Sequence, residues 1–449
     1  MTPQKITAHN SKRRLVLCLD GTWNSTYELK DSEGHVVARP SNILKMARGI
    51  NRHGSDGVEQ IVYYNTGVGA SSNYQGRATQ LLTKVDRILG GIFGAGFHSK
   101  VEEAVTFISN NYKEGDEVFI FGFSRGAAIA RAVCQFIKWM GEAKCILKEE
   151  NCDSLRGAIL SKKDAYYIPF LLREYFETEG KTTFDQAMAK STNTGHPYTD
   201  STFSNQLQMI TIKMLAVWDT VLALSSIFTP KFEHHLNSEA LPLSVENAYH
   251  ALAIDEARMD FLPNIWKTIS KHDQSLKQRW FAGSHSNIGG GYPIGGLANC
   301  SLDWFTLEAQ KYGLAFDQEY MQFFKARPAA MLYNSKSFGY KIMDAIRGVY
   351  RWNKGVRAIG RGYQESIDIS VFHRLFADNV QSIGYLDSGQ TPLLYRPDNL
   401  RDYLARMLSR HDESLDAMLQ GINEEAQARQ IAPIEKLNRH TIKQLLANW

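Results

Sequence analysis

The chain has 449 residues, 43% of them hydrophobic and 22% charged, with 51 Lys and Arg against 47 Asp and Glu and a formal charge of +4. That balance excludes a nucleic-acid binder driven by bulk charge and permits only weak attraction to an anionic surface. The length holds one large domain or two to three ordinary ones, with ample core.

Five apolar runs of strand length follow one another: Leu15–Leu19, Gln60–Tyr64, Glu117–Phe121, Ile212–Trp218 and Gln278–Gly283. All are continuous rather than alternating, as when both faces of a parallel sheet are covered. Helix patterns lie between or after them at Ser41–Asn51, Phe97–Tyr112, Ala127–Met140, Ser244–Asp260 and Ser301–Tyr312, with Ser41 and Ser244 as candidate N-caps. In the third helix Ile129, Val133, Phe136, Ile137 and Met140 fall on one face. This alternation predicts a doubly wound α/β domain over residues 12–315. Residues 142–209 read as an insertion whose segment KSTNTGHPYTDSTFSN should be loop, and 228–242 as a second irregular piece. From about 316 to 449 the strand pattern fades; RDYLARMLSRHDESLDAMLQGINEEA and PIEKLNRHTIKQLLANW predict amphipathic helices, a mainly helical extension packed on the core.

The third strand runs into Gly122-Phe123-Ser124-Arg125-Gly126 and then directly into a helix. Gly-x-Ser-x-Gly at a strand-to-helix turn has a physical reason: the turn strains the serine backbone, and its neighbours must be small. The pattern alone arises by chance in chains of this length; its strand and helix context makes Ser124 a candidate nucleophile. A serine hydroxyl needs a base, and the base an orienting carboxylate, in the chain order serine, acid, histidine in α/β-hydrolase-like folds. IKMLAVWDTV places Asp219 just past the fourth strand, and QRWFAGSHSNIGGGYP places His285 just past the fifth. Asp255, in ALAIDEAR, is the fallback acid, expected mid-helix in a structural ion pair. For the oxyanion, one donor should be the Arg125 amide and the other the amide of Gly21 or Thr22 in LVLCLDGTWNS; the role of Asp20 stays open.

LGGIFGAGFHSK lacks the ending of a phosphate loop and reads as a flexible helix entry. No histidine spacing matches a zinc site, so no metal and no cofactor are expected. The five cysteines, Cys18, Cys134, Cys145, Cys152 and Cys300, show no CxxC spacing and read as reduced thiols. The polar start does not read as a secretory signal, and no uninterrupted apolar run reaches the roughly 20 residues of a membrane span. The expectation is synthesis in the cytoplasm.

CLDGTWN, YYNTGVG, GDEVFIFGFSRGAAIAR, VWDTV, ALAIDEAR and WFAGSHSNIGGGY together resemble the α/β-hydrolase family that includes phospholipase effectors of type VI secretion. ESIDISVFHRLF with LLYRPDNL is similar to that family's C-terminal trailer. The insertion at 142–209 is the expected cap region. The resemblance implies a triad of Ser124, Asp219 and His285. It further implies ester hydrolysis on phospholipid, with peripheral membrane contact, signal-peptide-independent export, and a secretion or immunity protein as partner. Two positions depart from it: Asn287 stands where an acidic residue is usual, and Asp368 where a histidine is common. Rival readings are a soluble carboxylesterase and a non-catalytic interaction protein that retains the fold.

Overall fold

The computed structural model describes residues 12–21, 29–30, 36–37, 39–66, 93–148, 156–184, 186–187, 190, 207–221, 238–258, 261–335, 357–378, 380–383, 391–410, 413–429, 434 and 437–449. At its centre is a seven-stranded sheet. Its strands are β1 (Arg13–Leu19), β2 (Glu59–Asn65), β3 (Glu117–Phe123), β4 (Ile212–Trp218), β5 (Val245–Ala253), β6 (Ser275–Phe281) and β7 (Glu365–Ile367). They stand side by side in the order β2-β1-β3-β4-β5-β6-β7, and every neighbouring pair is parallel. The order reverses between β1 and β3, so the carboxyl ends of these two strands form the switch-point crevice where ligands of open α/β sheets bind.

The continuous apolar runs have the expected cause: both faces are covered. Leu15, Leu17, Leu19, Val118, Ile120, Leu215 and Val217 pack on one face with α2 (Phe93–Asn111), α3 (Arg125–Lys148) and α4 (Ile168–Glu177). Val16, Cys18, Phe119, Phe121, Met214, Ala216 and Trp218 pack on the other, under α1 (Asn42–Gly49) and α6 (Ala298–Gln310), with the short α5 (His285–Gly289) between. Ser41 caps α1, accepting from the Leu44 amide at 3.1 Å.

All five predicted strands form, and four of the five predicted helices. The fourth, Ser244–Asp260, is instead strand β5 in the middle of the sheet. Its sequence VENAYHALA is rich in helix formers, but tertiary packing overrides propensity. Ala248, Ala251 and Ala253 are completely buried, the first in the core on one face of the sheet and the other two in the core on the opposite face. Ser244 is accordingly not a helix cap; its hydroxyl donates to the Cys134 carbonyl at 2.7 Å. The glycine-rich entry is partly helical, since α2 begins at Phe93.

Within 142–209, Ala158–Leu160 and Leu207–Met209 pair antiparallel, and Tyr175 and Phe184 pack around Trp139. The segment expected to be loop (190–205) lies outside the described residues apart from residue 190, as does most of 228–242. Beyond residue 316 the chain is not purely helical. Glu365–Ile367 joins β6 as the last strand of the main sheet, and Leu332–Tyr333 heads a second, three-stranded sheet. The helices α7 (Ile369–Leu375), α8 (Asp398–Ser409), α9 (Ser414–Ala428) and α10 (Arg439–Ala447) bury Leu400, Leu404, Leu419 and Ile442 against Leu252 and Trp280 of the sheet. Asp368 binds Arg429 at 2.7 Å and Arg279 at 3.4 Å, so the position where a histidine is common is an ionic pin between sheet and extension. Cys18, Cys134 and Cys300 are buried thiols.

The small residues around Ser124 are sterically required. A Cβ on Gly126 would stand 2.0 Å from the Leu19 carbonyl oxygen, and one on Gly122 would stand 2.6 Å from the Gly126 carbonyl oxygen. Both obstacles are backbone, which cannot rotate away. Gly126→Ala is therefore expected to lower the unfolding free energy by about 3 kcal/mol or to prevent folding, read by urea denaturation; an unchanged midpoint would contradict this packing.

Candidate active site

The parallel sheet delivers the candidate residues to one edge. Ser124 follows β3, Asp219 follows β4 and His285 opens α5 after β6. Ser124 and Asp219 both hold left-handed backbone angles, φ 57° and 44°. For non-glycine residues this costs on the order of 1–3 kcal/mol each and persists only where surroundings enforce it. Here the enforcing bonds run across strand ends. The Ser124 amide donates to the Trp218 carbonyl at 3.1 Å, and the Asp219 amide donates to the Ala251 carbonyl at 2.8 Å. The Ser124 carbonyl accepts from Ala127 and Ala128, starting α3.

Asp219 and His285 meet directly. Carboxylate Oδ2 lies 2.7 Å from His285 Nδ1, with Asp219 fully buried and His285 5% exposed. The imidazole is held between Phe123, at 4.7 Å between ring centres, and Phe261, at 5.2 Å. Ser124 is partly exposed and adjoins this unit through Phe123 and Trp218; among the described residues no side-chain hydrogen bond joins it to His285. Burial pushes the His285 pKa below its ordinary value, against the opposing pull of Asp219, so the neutral base predominates near pH 7. Burial would raise the Asp219 carboxyl, but the Arg357 charge and the His285 contact override it and keep it ionised.

The loop carrying His285 is tightly specified. Ser284 and Asn287 form a reciprocal capping box around α5. Asn287 Oδ1 also accepts from the Tyr333 amide at 3.1 Å, so the residue standing in place of an acid serves as a neutral acceptor here. Gly283 has φ 117°, and a Cβ there would lie 2.3 Å from the Asn287 Cβ. Asp255 is not mid-helix, and among the described residues it makes no ion pair. It lies just past β5, accepts from the Gly283 amide at 2.6 Å and the Tyr395 hydroxyl at 2.7 Å, and its carboxyl is raised by burial. It clamps the histidine loop from behind and does not touch the ring nitrogens.

Of the oxyanion candidates, the Arg125 amide begins α3 beside the serine. The Gly21 amide donates to Asp20 Oδ1 at 2.7 Å and so points away from that duty; Thr22 lies outside the described residues. Asp20 ties its loop down, since its Oδ2 accepts from Ser41 Oγ at 2.6 Å and the Tyr64 hydroxyl at 2.9 Å.

Two buried groups at the site were not singled out in the sequence. Glu256, one residue after Asp255, accepts from the His285 amide at 3.2 Å and from Arg258 Nε at 2.8 Å. The Arg258 guanidinium in turn lies 3.4 Å from the centre of the Phe261 ring that edges His285. Arg357 grips Asp219 with both arms, Nη1 to Oδ1 at 2.5 Å and Nη2 to Oδ2 at 2.9 Å. Glu256 sits inside a quoted motif and could have been flagged as an acid beside a candidate acid. Arg357, in NKGVRAIGRGY, carries no signal in its neighbours.

Residues 13–308 match the family described as "T6SS, Phospholipase effector Tle1-like, catalytic domain". The chain belongs to this family. The matched span contains Ser124, Asp219, Glu256 and His285 and ends before Arg357. The chain is also 29% identical over 139 residues to "Uncharacterized protein YEL023C" of Saccharomyces cerevisiae, covering 30% of this chain and 19% of that protein. A solved structure described as an uncharacterized protein from Pseudomonas aeruginosa aligns at a TM-score of 0.41 and 14% identity, covering 97% of this chain and 62% of the other.

Glu256 gives this region a pH signature. Burial would raise its carboxyl, but Arg258, with help from Arg357 and His285, lowers it from 4.5 to about 2. The resulting stabilisation is complete above the unfolded value of 4.5 and is lost as pH falls towards 2. Between those limits the wild type should lose roughly 3 kcal/mol more stability than Glu256→Gln, measured by urea denaturation at each pH. Parallel pH dependences would show that this carboxylate is not held as described.

Proposed function

We propose that the protein is a serine acyl-ester hydrolase acting on phospholipid, with Ser124 as nucleophile, His285 as general base and Asp219 as orienting acid. The observation carrying this reading is the buried 2.7 Å contact between His285 Nδ1 and Asp219 beside a strained strand-to-helix turn that presents a serine. With Nδ1 held by the carboxylate, Nε2 is the nitrogen that takes the proton from Ser124 Oγ. Oγ then bonds to the acyl carbon, and the negative charge on the carbonyl oxygen faces main-chain amides at the start of α3, that of Arg125 first. Collapse of this intermediate breaks the ester bond, and the imidazolium gives its proton to the departing lysophospholipid alcohol. Water, deprotonated by the same histidine, releases the fatty acid and restores Ser124.

Phospholipid is favoured over a small soluble ester by the family to which the chain belongs and by the surface beside the site. Leu262, 48% exposed, directly follows Phe261, whose ring edges His285, and suits contact with an apolar interface. In this reading the C-terminal helices are an extension of the hydrolase domain, and a secretion or immunity protein is its protein partner.

The test uses the full chain, a fluorophosphonate probe, short-chain esters and phosphatidylcholine vesicles with products read by mass spectrometry. Wild type should label at Ser124 and release fatty acid from vesicles faster than from short-chain esters. Ser124→Ala and His285→Ala should abolish labelling and cut turnover by at least about 10⁴-fold. The acid limb of kcat/KM should lie below pH 6.5, because the folded histidine binds its proton more weakly than a free one. Preference for short-chain esters would make it a soluble esterase, and a wild type that neither labels nor hydrolyses would make it non-catalytic.

A further inference from the structure

Arg357 is 1% exposed and comes from the segment before β7, far along the chain from the residue it grips. Each of its two terminal nitrogens makes two directed contacts, while Nε is buried without a hydrogen-bond partner among the described residues. Nη1 donates to Asp219 Oδ1 at 2.5 Å and to the Ala253 carbonyl at 3.0 Å; Nη2 donates to Asp219 Oδ2 at 2.9 Å and to the Phe261 carbonyl at 2.5 Å. One planar group thereby ties the end of β4, the end of β5 and the loop that edges the histidine ring. Arg357 is itself held from behind: Asn399 Nδ2 at the start of α8 donates to the Arg357 carbonyl at 3.1 Å and to the Ile254 carbonyl at 3.0 Å. Only arginine offers a rigid fork that can satisfy both carboxylate oxygens and two further carbonyls in one plane.

From this geometry we infer that Arg357 is a positioning residue for the catalytic pair, fixing the Asp219 carboxylate in plane and offsetting part of its charge on His285. The inference rests on the reading of Ser124, Asp219 and His285 as the triad. Its physical content is specific. Oδ2 is shared between His285 Nδ1 and Arg357 Nη2, so the carboxylate cannot rotate without breaking both contacts. The charge that His285 experiences from Asp219 is reduced by the cation on the carboxylate's other side. Among the described residues the remaining charged groups around the ring are Glu256 and Arg258, which pair with each other; Phe123 and Phe261 supply the apolar walls. Removing the guanidinium leaves a buried carboxylate whose remaining ionic partner is the imidazole, and the pair then binds its proton more tightly.

The test compares wild type, Arg357→Gln and Arg357→Lys in the full chain with two readouts. The first is the titration of His285 by NMR of its ring nitrogens, which needs no turnover. The second is the pH profile of kcat/KM on the ester that wild type cleaves. Arg357→Gln should raise the His285 pKa by about one unit and move the acid limb up with it. It should also lower the plateau on the order of 10²-fold, as the carboxylate loses its fixed plane. Arg357→Lys keeps the charge without the fork; it should leave the histidine titration near wild type while still losing plateau rate. It also serves as the folded variant should the glutamine substitution not fold. A His285 titration unchanged in Arg357→Gln, or moved equally by both variants, overturns the inference, as does a plateau unaffected by either. A wild type that hydrolyses nothing while the titration still responds would instead sink the hydrolase reading and leave the Arg357–Asp219–His285 coupling standing.

Discussion

A fully buried carboxylate must find donors for both of its oxygens, and this requirement on Asp219 organises the site. Four groups answer it: His285 Nδ1, the two arms of Arg357 and, at 3.3 Å, the Ala253 amide. An isolated charge at this depth would be prohibitively costly, and removing one partner would strand the other. The donors come from segments widely separated in the chain, so they can converge only on something that brings distant residues to one place. The parallel sheet does this. Every strand ends at the same edge, so the residues that follow β3, β4, β5 and β6 become neighbours whatever their separation in sequence. The strained backbones of Ser124 and Asp219 depend on the same arrangement, because each is pinned by a hydrogen bond to an adjacent strand.

The C-terminal third is part of this arrangement and not merely attached to it. Arg279, in the middle of β6, pairs with Glu425 of α9 as well as with Asp368. Tyr395 closes on Asp255, which holds the Gly283 amide at the root of the histidine loop. The hydrophobic cluster beneath these contacts runs from Leu252 and Trp280 to Leu404 and Leu419 without a break. The site therefore has a rear wall built by the last helices, and its polar anchors pass through that wall.

What the sequence disclosed was whatever expresses itself locally. Continuous apolar runs gave the parallel strands because two covered faces leave no room for alternation. The glycines around Ser124 disclosed the turn because a Cβ there would strike Leu19 and the turn's own backbone. Asp219 and His285 were reachable from their places just past predicted strands, and the structure puts their side chains in contact. Strand β5 was missed because its alanines, buried in the cores on both faces of the sheet, have the composition of a helix. The inward turn of the Gly21 amide was missed because it depends on the side chain of Asp20. Arg357 was missed for a more general reason. A buried arginine looks like a surface arginine until its partner is known, and its partner lies on a strand end that no local pattern links to it.

The third dimension also draws a different boundary from the one drawn by similarity. The family match stops at residue 308, yet a polypeptide ending there would lack the cation that faces Asp219 and the strand that covers Gln278, Arg279 and Trp280. It would hold in its interior an anion left with only the imidazole and one amide as described donors, and a bare, aromatic-bearing strand flank open to any passing chain. For this protein the smallest unit that can stand alone electrostatically is longer than the smallest unit that can be recognised by descent.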